Sequence, residues 1–203
     1  MRKNKSVGKL LIIIGTVSIL IALSLIIWNK YTDHNGKKSS EKALLSLKNE
    51  ISNSDNSKLY TEFSDNDLDK EVSLDLDGNK YIGIISIPKI NLELPVLSSW
   101  SYANLDIAPC RYSGTVSDKN LVIAAHNYVS FFDKIDSLNS GDEIIFTECS
   151  GNIHRYEVSY SELINGGNVS AMEENSEQWD LTLFTCTWSG WDRVTVRASE
   201  IKK

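Results

Sequence analysis

The sequence is poor in the residues that nucleic-acid-binding and metal-binding proteins need. Its 21 Lys and Arg are outnumbered by 27 Asp and Glu, for a formal net charge of −6, so no basic face is available to follow a phosphate backbone. There are only three cysteines, Cys110, Cys149 and Cys186, and none belongs to a CxxC pair, which argues against a zinc site. Three is also an odd number, so at least one thiol is unpaired or pairs between chains. No internal repeat is evident. Acidic residues are missing altogether from the first thirty positions, which hold five Lys or Arg; the remainder carries 16 basic against 27 acidic side chains, a net of −11.

What is present suits a globular protein. Hydrophobic residues make up 41% and aromatics 9% of 203 residues, enough for one domain of ordinary size plus an anchor and a linker. Leu10 to Trp28 is an uncharged run whose only polar side chains are Thr16, Ser18 and Ser24. At about 1.5 Å per residue it spans a bilayer core of roughly 30 Å. Arg2, Lys3, Lys5 and Lys9 precede it, and Trp28 and Tyr31 sit where interfacial aromatics belong. A cleaved signal peptide would have a shorter apolar region and small residues at its end; Trp28-Asn29-Lys30-Tyr31 follows here, so the expectation is an uncleaved anchor. Lys30, Lys37, Lys38 and Lys42 on the far side leave the positive-inside count nearly balanced.

These features divide the chain into an N-terminus (1–9) expected to be cytoplasmic, a transmembrane anchor (10–28), a polar linker (29–76) and a folded domain (77–203). The linker reads as a flexible tether, with one short helix over Ser39 to Ile51. From Tyr81 onward the pattern is short strands between turns. Ile82–Ile87, Leu92–Leu97, Leu121–Ala125, Glu143–Thr147, Ile153–Tyr160, Leu181–Cys186 and Arg193–Ala198 read as strands, with helical turns over Tyr102–Leu105 and Phe131–Leu138. The fold class expected is mostly all-β, a sandwich or a closed barrel with short helices.

Three strand ends carry chemistry. Cys186 closes the strand Leu181-Thr182-Leu183-Phe184-Thr185-Cys186, Arg193 opens the next strand seven residues later, and His126 follows Leu121-Val122-Ile123-Ala124-Ala125. A thiolate is a strong nucleophile and its thioester stays reactive toward amines. Histidine exchanges protons near neutral pH, and a guanidinium holds charge and donates several hydrogen bonds. Each residue alone has a plainer reading, as a buried thiol, a core imidazole or a surface arginine. His34 lies in the linker and His154 within a strand, so neither competes with His126. Arg197 shares the strand face of Arg193 and is its fallback.

Together these residues resemble a sortase, the family of cysteine transpeptidases that attach proteins to the cell wall of Gram-positive bacteria. The resemblance covers residues 81–198. Thr182-Leu183-Phe184-Thr185-Cys186 matches the family's Thr-Leu-x-Thr-Cys motif at every fixed position, Tyr81 to Ile90 is similar to its first strand, and Leu94-Pro95-Val96 to its second. Ala125 stands where glycine is common. The resemblance implies an eight-stranded β-barrel with short helices behind an N-terminal transmembrane helix, placed on the outer face of the membrane. It implies Cys186 as nucleophile, His126 as acid and base, and Arg193 as holder of substrate or oxyanion. Thr185, Ala125, Trp188 and Trp191 are the expected substrate-binding residues, the two tryptophans either walling a peptide groove or packing on the barrel rim.

The substrate implied is a secreted protein with a C-terminal LPxTG-like sorting signal, and the acceptor an amine of the peptidoglycan precursor. Glu173, Glu174 and Glu177 resemble the acidic residues that bind calcium in some sortases, but a solvated acidic loop is the reading adopted, with no metal and no cofactor expected. Short spacing between His126 and Cys186 argues against class B. The lack of a lid motif before residue 81 and of a C-terminal apolar segment argues against class C, leaving class D or class A. Cys110 and Cys149 read as buried small hydrophobes, with a disulfide between them the lesser alternative. Two rival functions remain at this level. One is another extracellular cysteine enzyme, a peptidase or an L,D-transpeptidase, although the latter's Ser-x-Gly-Cys-type element is absent. The other is an inactive membrane-tethered binding module.

Overall fold

A computed structural model of the chain describes residues 4–53, 72–173 and 178–201. The apolar run does not stop at the interface. It opens a single helix α1 (Asn4–Asn53) of 50 residues, about 75 Å long. The side chains from Leu10 to Trp28 are exposed, and by length and composition this part of α1 is able to cross a membrane. The second half of α1 docks on the folded domain, burying Gly36, Ser40, Ala43 and Leu47 at helical spacing.

The expected flexible linker over 29–76 is therefore corrected. Residues up to Asn53 are helical, and a strand β1 (Leu74–Leu76) also precedes the expected boundary at 77. The reason is local: this stretch has no proline, and the face it buries is mostly small. Gly, Ser and Ala at a helix interface bring backbones close, yet they leave no apolar stripe to read in a sequence. Residues 54–71 lie outside the described residues.

The remaining strands are β2 (Asn79–Ile87), β3 (Leu92–Leu97), β4 (Cys110–Ser113), β5 (Leu121–Ala124), β6 (Glu143–Glu148), β7 (Ile153–Asn165), β8 (Leu181–Cys186) and β9 (Asp192–Glu200). They pair in the order β2-β3-β4-β5-β8-β9-β7-β6, and β6 pairs back onto β2, closing an eight-stranded barrel. β1 is a short hairpin partner of β2 outside that ring. Two connections are parallel, β3 with β4 and β5 with β8; the rest are antiparallel. Short helices α2 (Tyr102–Leu105) and α3 (Val169–Met172) fill long connections, and a 3₁₀ turn at Ile135–Ser137 occupies part of the second expected helical stretch.

The parallel pair explains the apolar runs. β5 and β8 are buried on both faces, so neither shows alternating polarity. Ile123, Leu181, Leu183 and Val196 point into the barrel core. Val122, Ala124 and Phe184 point outward, into a second core covered by Leu47 of α1, Leu105 of α2 and Met172 of α3. The residues of interest follow on this outer face.

Candidate active site

The strand pairing brings three side chains to one rim. β5 and β8 run parallel with Ala124 opposite Phe184, and the Ala125 amide donates to the Phe184 carbonyl at 3.2 Å. The Thr185 hydroxyl then donates to the Ala125 carbonyl at 2.9 Å. The two strands thus end in step, with His126 beside Cys186. On the other flank β9 runs antiparallel and pairs Arg193 with Cys186. Neighbouring strands lie about 4.8 Å apart, and alternation puts all three side chains on the outer face.

Cys186 is half-buried, Cys110 and Cys149 are fully buried, and none of the three is in a disulfide. Burial pushes the Cys110 thiol up to about 12, and its Sγ donates to the Ala108 carbonyl at 3.3 Å. The Cys149 Sγ donates to the Tyr81 carbonyl at 3.2 Å. Neither can act as a nucleophile, and they do not form the disulfide considered from the sequence.

His126 is held by two neighbours the sequence did not single out. Its Nε2 lies 3.4 Å from Asp106 Oδ1, and its ring stacks on Tyr128 at 4.6 Å between centroids. The Tyr128 hydroxyl donates to the same Asp106 oxygen at 3.4 Å. Burial pulls the imidazole below its ordinary value, while the charge of Asp106 and its hydrogen bond pull the other way. Burial thus favours the neutral ring. Asp106 ends a helical turn twenty residues upstream, so nothing in the local sequence tied it to His126.

Arg193 donates from Nη1 to the carbonyls of Gly190 at 3.0 Å and Asp192 at 3.1 Å, so its guanidinium folds over the turn that links β8 to β9. Arg197, the fallback, has another task. It is 1% exposed, its Nε donates to Glu162 at 3.0 Å, and its Nη1 donates to Thr182 Oγ1 at 2.8 Å. It also bonds the Ala171 and Met172 carbonyls and lies over the Trp179 ring, fastening α3 to the barrel.

Residues 85–201 match the family model of the sortase domain. This chain belongs to the sortase family. Sortase A of Bacillus anthracis is 31% identical over 125 residues, which cover 59% of this chain and 59% of that one. The chain thus spans under two thirds of that curated relative's length. Among solved structures, a Clostridium perfringens sortase D5 transpeptidase superposes with a TM-score of 0.62 at 22% identity, covering 81% of this chain and 99% of that one. Sortase E1 from Streptomyces coelicolor, with a tripeptide in its active site, gives 0.54 at 21% identity, covering 60% and 88%. These structural likenesses establish the shared barrel.

In this sortase a cleft of about 480 Å³ opens beside Cys186, walled by Trp188, Leu163, Asp133 and Asp136. Glu162 also lines it, and no Lys or Arg does among the described residues. Trp188 and Trp191 are 91% and 78% exposed, so neither packs on the barrel rim; Trp188 borders the cleft and Trp191 does not. Ala125 has its side chain in the barrel core, and its amide and carbonyl are both engaged with β8. Thr185 borders the cleft but is buried, with its hydroxyl committed to Ala125.

On the outer face an aromatic row leads away from the nucleophile. Tyr112 meets Phe184 edge-on at 5.1 Å, and Trp100 meets Tyr112 at 5.7 Å and Tyr102 at 5.2 Å. The sequence reading missed this row because its members come from three separate segments. Among the described residues no group of three or more His, Cys, Asp or Glu side chains is arranged to hold a metal ion. Glu173 is described there; Glu174 and Glu177 lie outside the described residues.

Proposed function

We propose that this sortase is a cysteine transpeptidase acting on an LPxTG-like C-terminal sorting signal of secreted proteins. The observation that carries this is the alignment of His126, Cys186 and Arg193 on the ends of three adjacent strands, with Cys186 the accessible thiol of the three. Cys186 Sγ attacks the carbonyl carbon of the threonine of the signal, and the C–N bond to the residue after it breaks. His126 takes the thiol proton as the sulfur attacks and passes it to the departing amine, leaving the acyl group on Cys186 as a thioester. A cell-wall amine then attacks the thioester, His126 takes up its proton, and the free thiol returns. An imidazole kept neutral by burial is suited to accept that proton and to give it back readily. Arg193 swings from the Gly190 and Asp192 carbonyls to hold the substrate carbonyl oxygen as it gains charge.

The carboxylate-lined cleft beside Cys186 suits an approaching amine, and the aromatic row suits the apolar side chains of the peptide. The chain is anchored through Leu10–Trp28 in a single pass, with residues 1–9 inside and the barrel outside, as its membership of the sortase family supports. Class D or A fits best, because the connection from β7 to β8 carries only the four-residue α3 among its described residues. The reaction needs no metal or cofactor.

The test is cleavage of a quenched fluorescent LPxTG-type peptide by the full chain in detergent micelles, with and without a glycine or diaminopimelate-type amine. Expected are cleavage, an amine-dependent ligated product by mass spectrometry, and loss of both in Cys186→Ala. Cleavage without ligation under any amine would point to a peptidase. No acyl-enzyme across a panel of motifs would point to a binding module.

A further inference from the structure

The second half of α1 makes contacts that a tether would not need. Asp33 accepts hydrogen bonds at Oδ1 from the Ser130 hydroxyl and, at 3.4 Å, from the Ser130 amide. One turn later Gly36 is pressed so closely on the barrel that a Cβ there would lie 2.8 Å from the Asp106 carbonyl oxygen and 3.1 Å from the Phe131 ring. These two contacts fall on two segments, one holding Asp106 and the other running from Tyr128 to Phe131. The same two segments hold His126, through the 3.4 Å approach of Asp106 and the stacked ring of Tyr128. Tyr128 in turn lies 5.8 Å from the Phe131 ring that Gly36 touches.

We infer that the membrane-proximal turn of α1, Asp33 to Gly36, is a positioning element for His126, acting through Asp106 and the 128–131 segment. This extends the reaction proposed above and rests on His126 acting in it. Burial of Ser40, Ala43 and Leu47 continues the contact up the helix, so α1 cannot pivot freely at Gly36. The ion pairs Lys42–Asp77 and Lys48–Glu93, both 2.6 Å, guide the same register from the solvent side. Because α1 is continuous with the apolar span, the contact also sets where the site stands. Asp33 follows Trp28 by five residues, about 7.5 Å of helix rise. The histidine side of the active site therefore sits close above the bilayer, where a substrate still embedded by its own C-terminal segment would present its signal.

The experiment uses the full chain in detergent micelles, isotope-labelled on histidine, with the His126 ring titrated by NMR beside peptide cleavage kinetics. Asp33→Leu removes the acceptor for Ser130, Gly36→Val inserts a branched side chain against Asp106, and Asp33→Asn keeps the Oδ1 acceptor. Lys48→Ala weakens the far end of the same helix. In Asp33→Leu and Gly36→Val the His126 titration should move up toward the ordinary histidine value as its cover loosens. Turnover should fall roughly tenfold or more while KM stays within about twofold. Asp33→Asn and Lys48→Ala should match the parent in both readouts. An unchanged titration in Asp33→Leu and Gly36→Val overturns the inference and leaves α1 a tether. If Gly36→Val does not fold, Asp33→Leu decides alone. A titration that moves in Asp33→Leu and Gly36→Val while the parent chain cleaves no peptide would uphold the positioning role and sink the transpeptidase reading instead.

Discussion

Two arginines four residues apart on β9 show how the same side chain serves two ends. Arg197 is buried against Glu162, Thr182 and two carbonyls, so Arg197→Met strands several polar groups and should cost about 2–4 kcal/mol by denaturant titration. The Arg193 side chain bonds backbone carbonyls of an exposed turn, so Arg193→Met should leave the melting temperature nearly unchanged and abolish most cleavage. The thiols divide similarly. Native alkylation followed by mass spectrometry should label Cys186 alone, and unfolding without reductant should expose Cys110 and Cys149 as well. Asp106 gives the pH prediction. Its charge raises the His126 pKa against the larger lowering by burial, so Asp106→Asn should move the His126 NMR titration further down. The sign for stability follows: as pH falls below the ordinary histidine value the unfolded chain takes up a proton first. Stability is lost from there down to the depressed His126 value and levels off below it, and the mutant widens that window. Cys186, His126 and Arg193 were legible because each ends a recognisable strand. Asp106 and Tyr128 were not, because their partnership with His126 exists only after folding.

At the scale of elements, β8 and β9 fix the spacing of Cys186 and Arg193, while the end of β7 limits how Arg193 can lie. A Cβ at Gly166 would come within 2.8 Å of Arg193 Nη1 and of the Trp191 carbonyl. Gly166→Val should push the guanidinium off its seat and lower kcat by roughly tenfold in the peptide assay, whereas Gly167→Val, facing open space apart from the Asn165 side chain, should change it little. The pairing of β7 with β9 also explains a strand that outran its sequence signal. Ser161 to Asn165 shows no apolar alternation, yet it stays extended because it is bonded along Asp192 to Val196. β4 was passed over for a related reason: Cys110-Arg111-Tyr112-Ser113 is short and mixed, and its neighbours β3 and β5 make it a strand. The docked half of α1 is the largest departure, since small residues carry its interface.

For the whole molecule, the barrel and the apolar first half of α1 are separable in stability even though one helix joins them. Removing residues 1–31 leaves Asp33, Gly36 and the docked face of α1 in place. The shortened chain should stay in the aqueous phase of a detergent partition, with barrel melting close to that of the full chain, which should enter the detergent phase. The sequence by itself determined the apolar stretch long enough to cross a membrane, the β-rich domain and the family, because a long uncharged run, short strands between turns and a fixed motif are properties of neighbouring residues. It also determined which thiol, imidazole and guanidinium to examine. Only the tertiary structure decided that Arg197 fastens α3, that Ala125 links two strands, that Asp106 and Tyr128 flank His126, and that α1 packs on the segments that hold them. Those assignments depend on which segments meet when the barrel closes. That meeting is set by strand order and by burial summed over the whole chain, and neither is written in any one stretch of it.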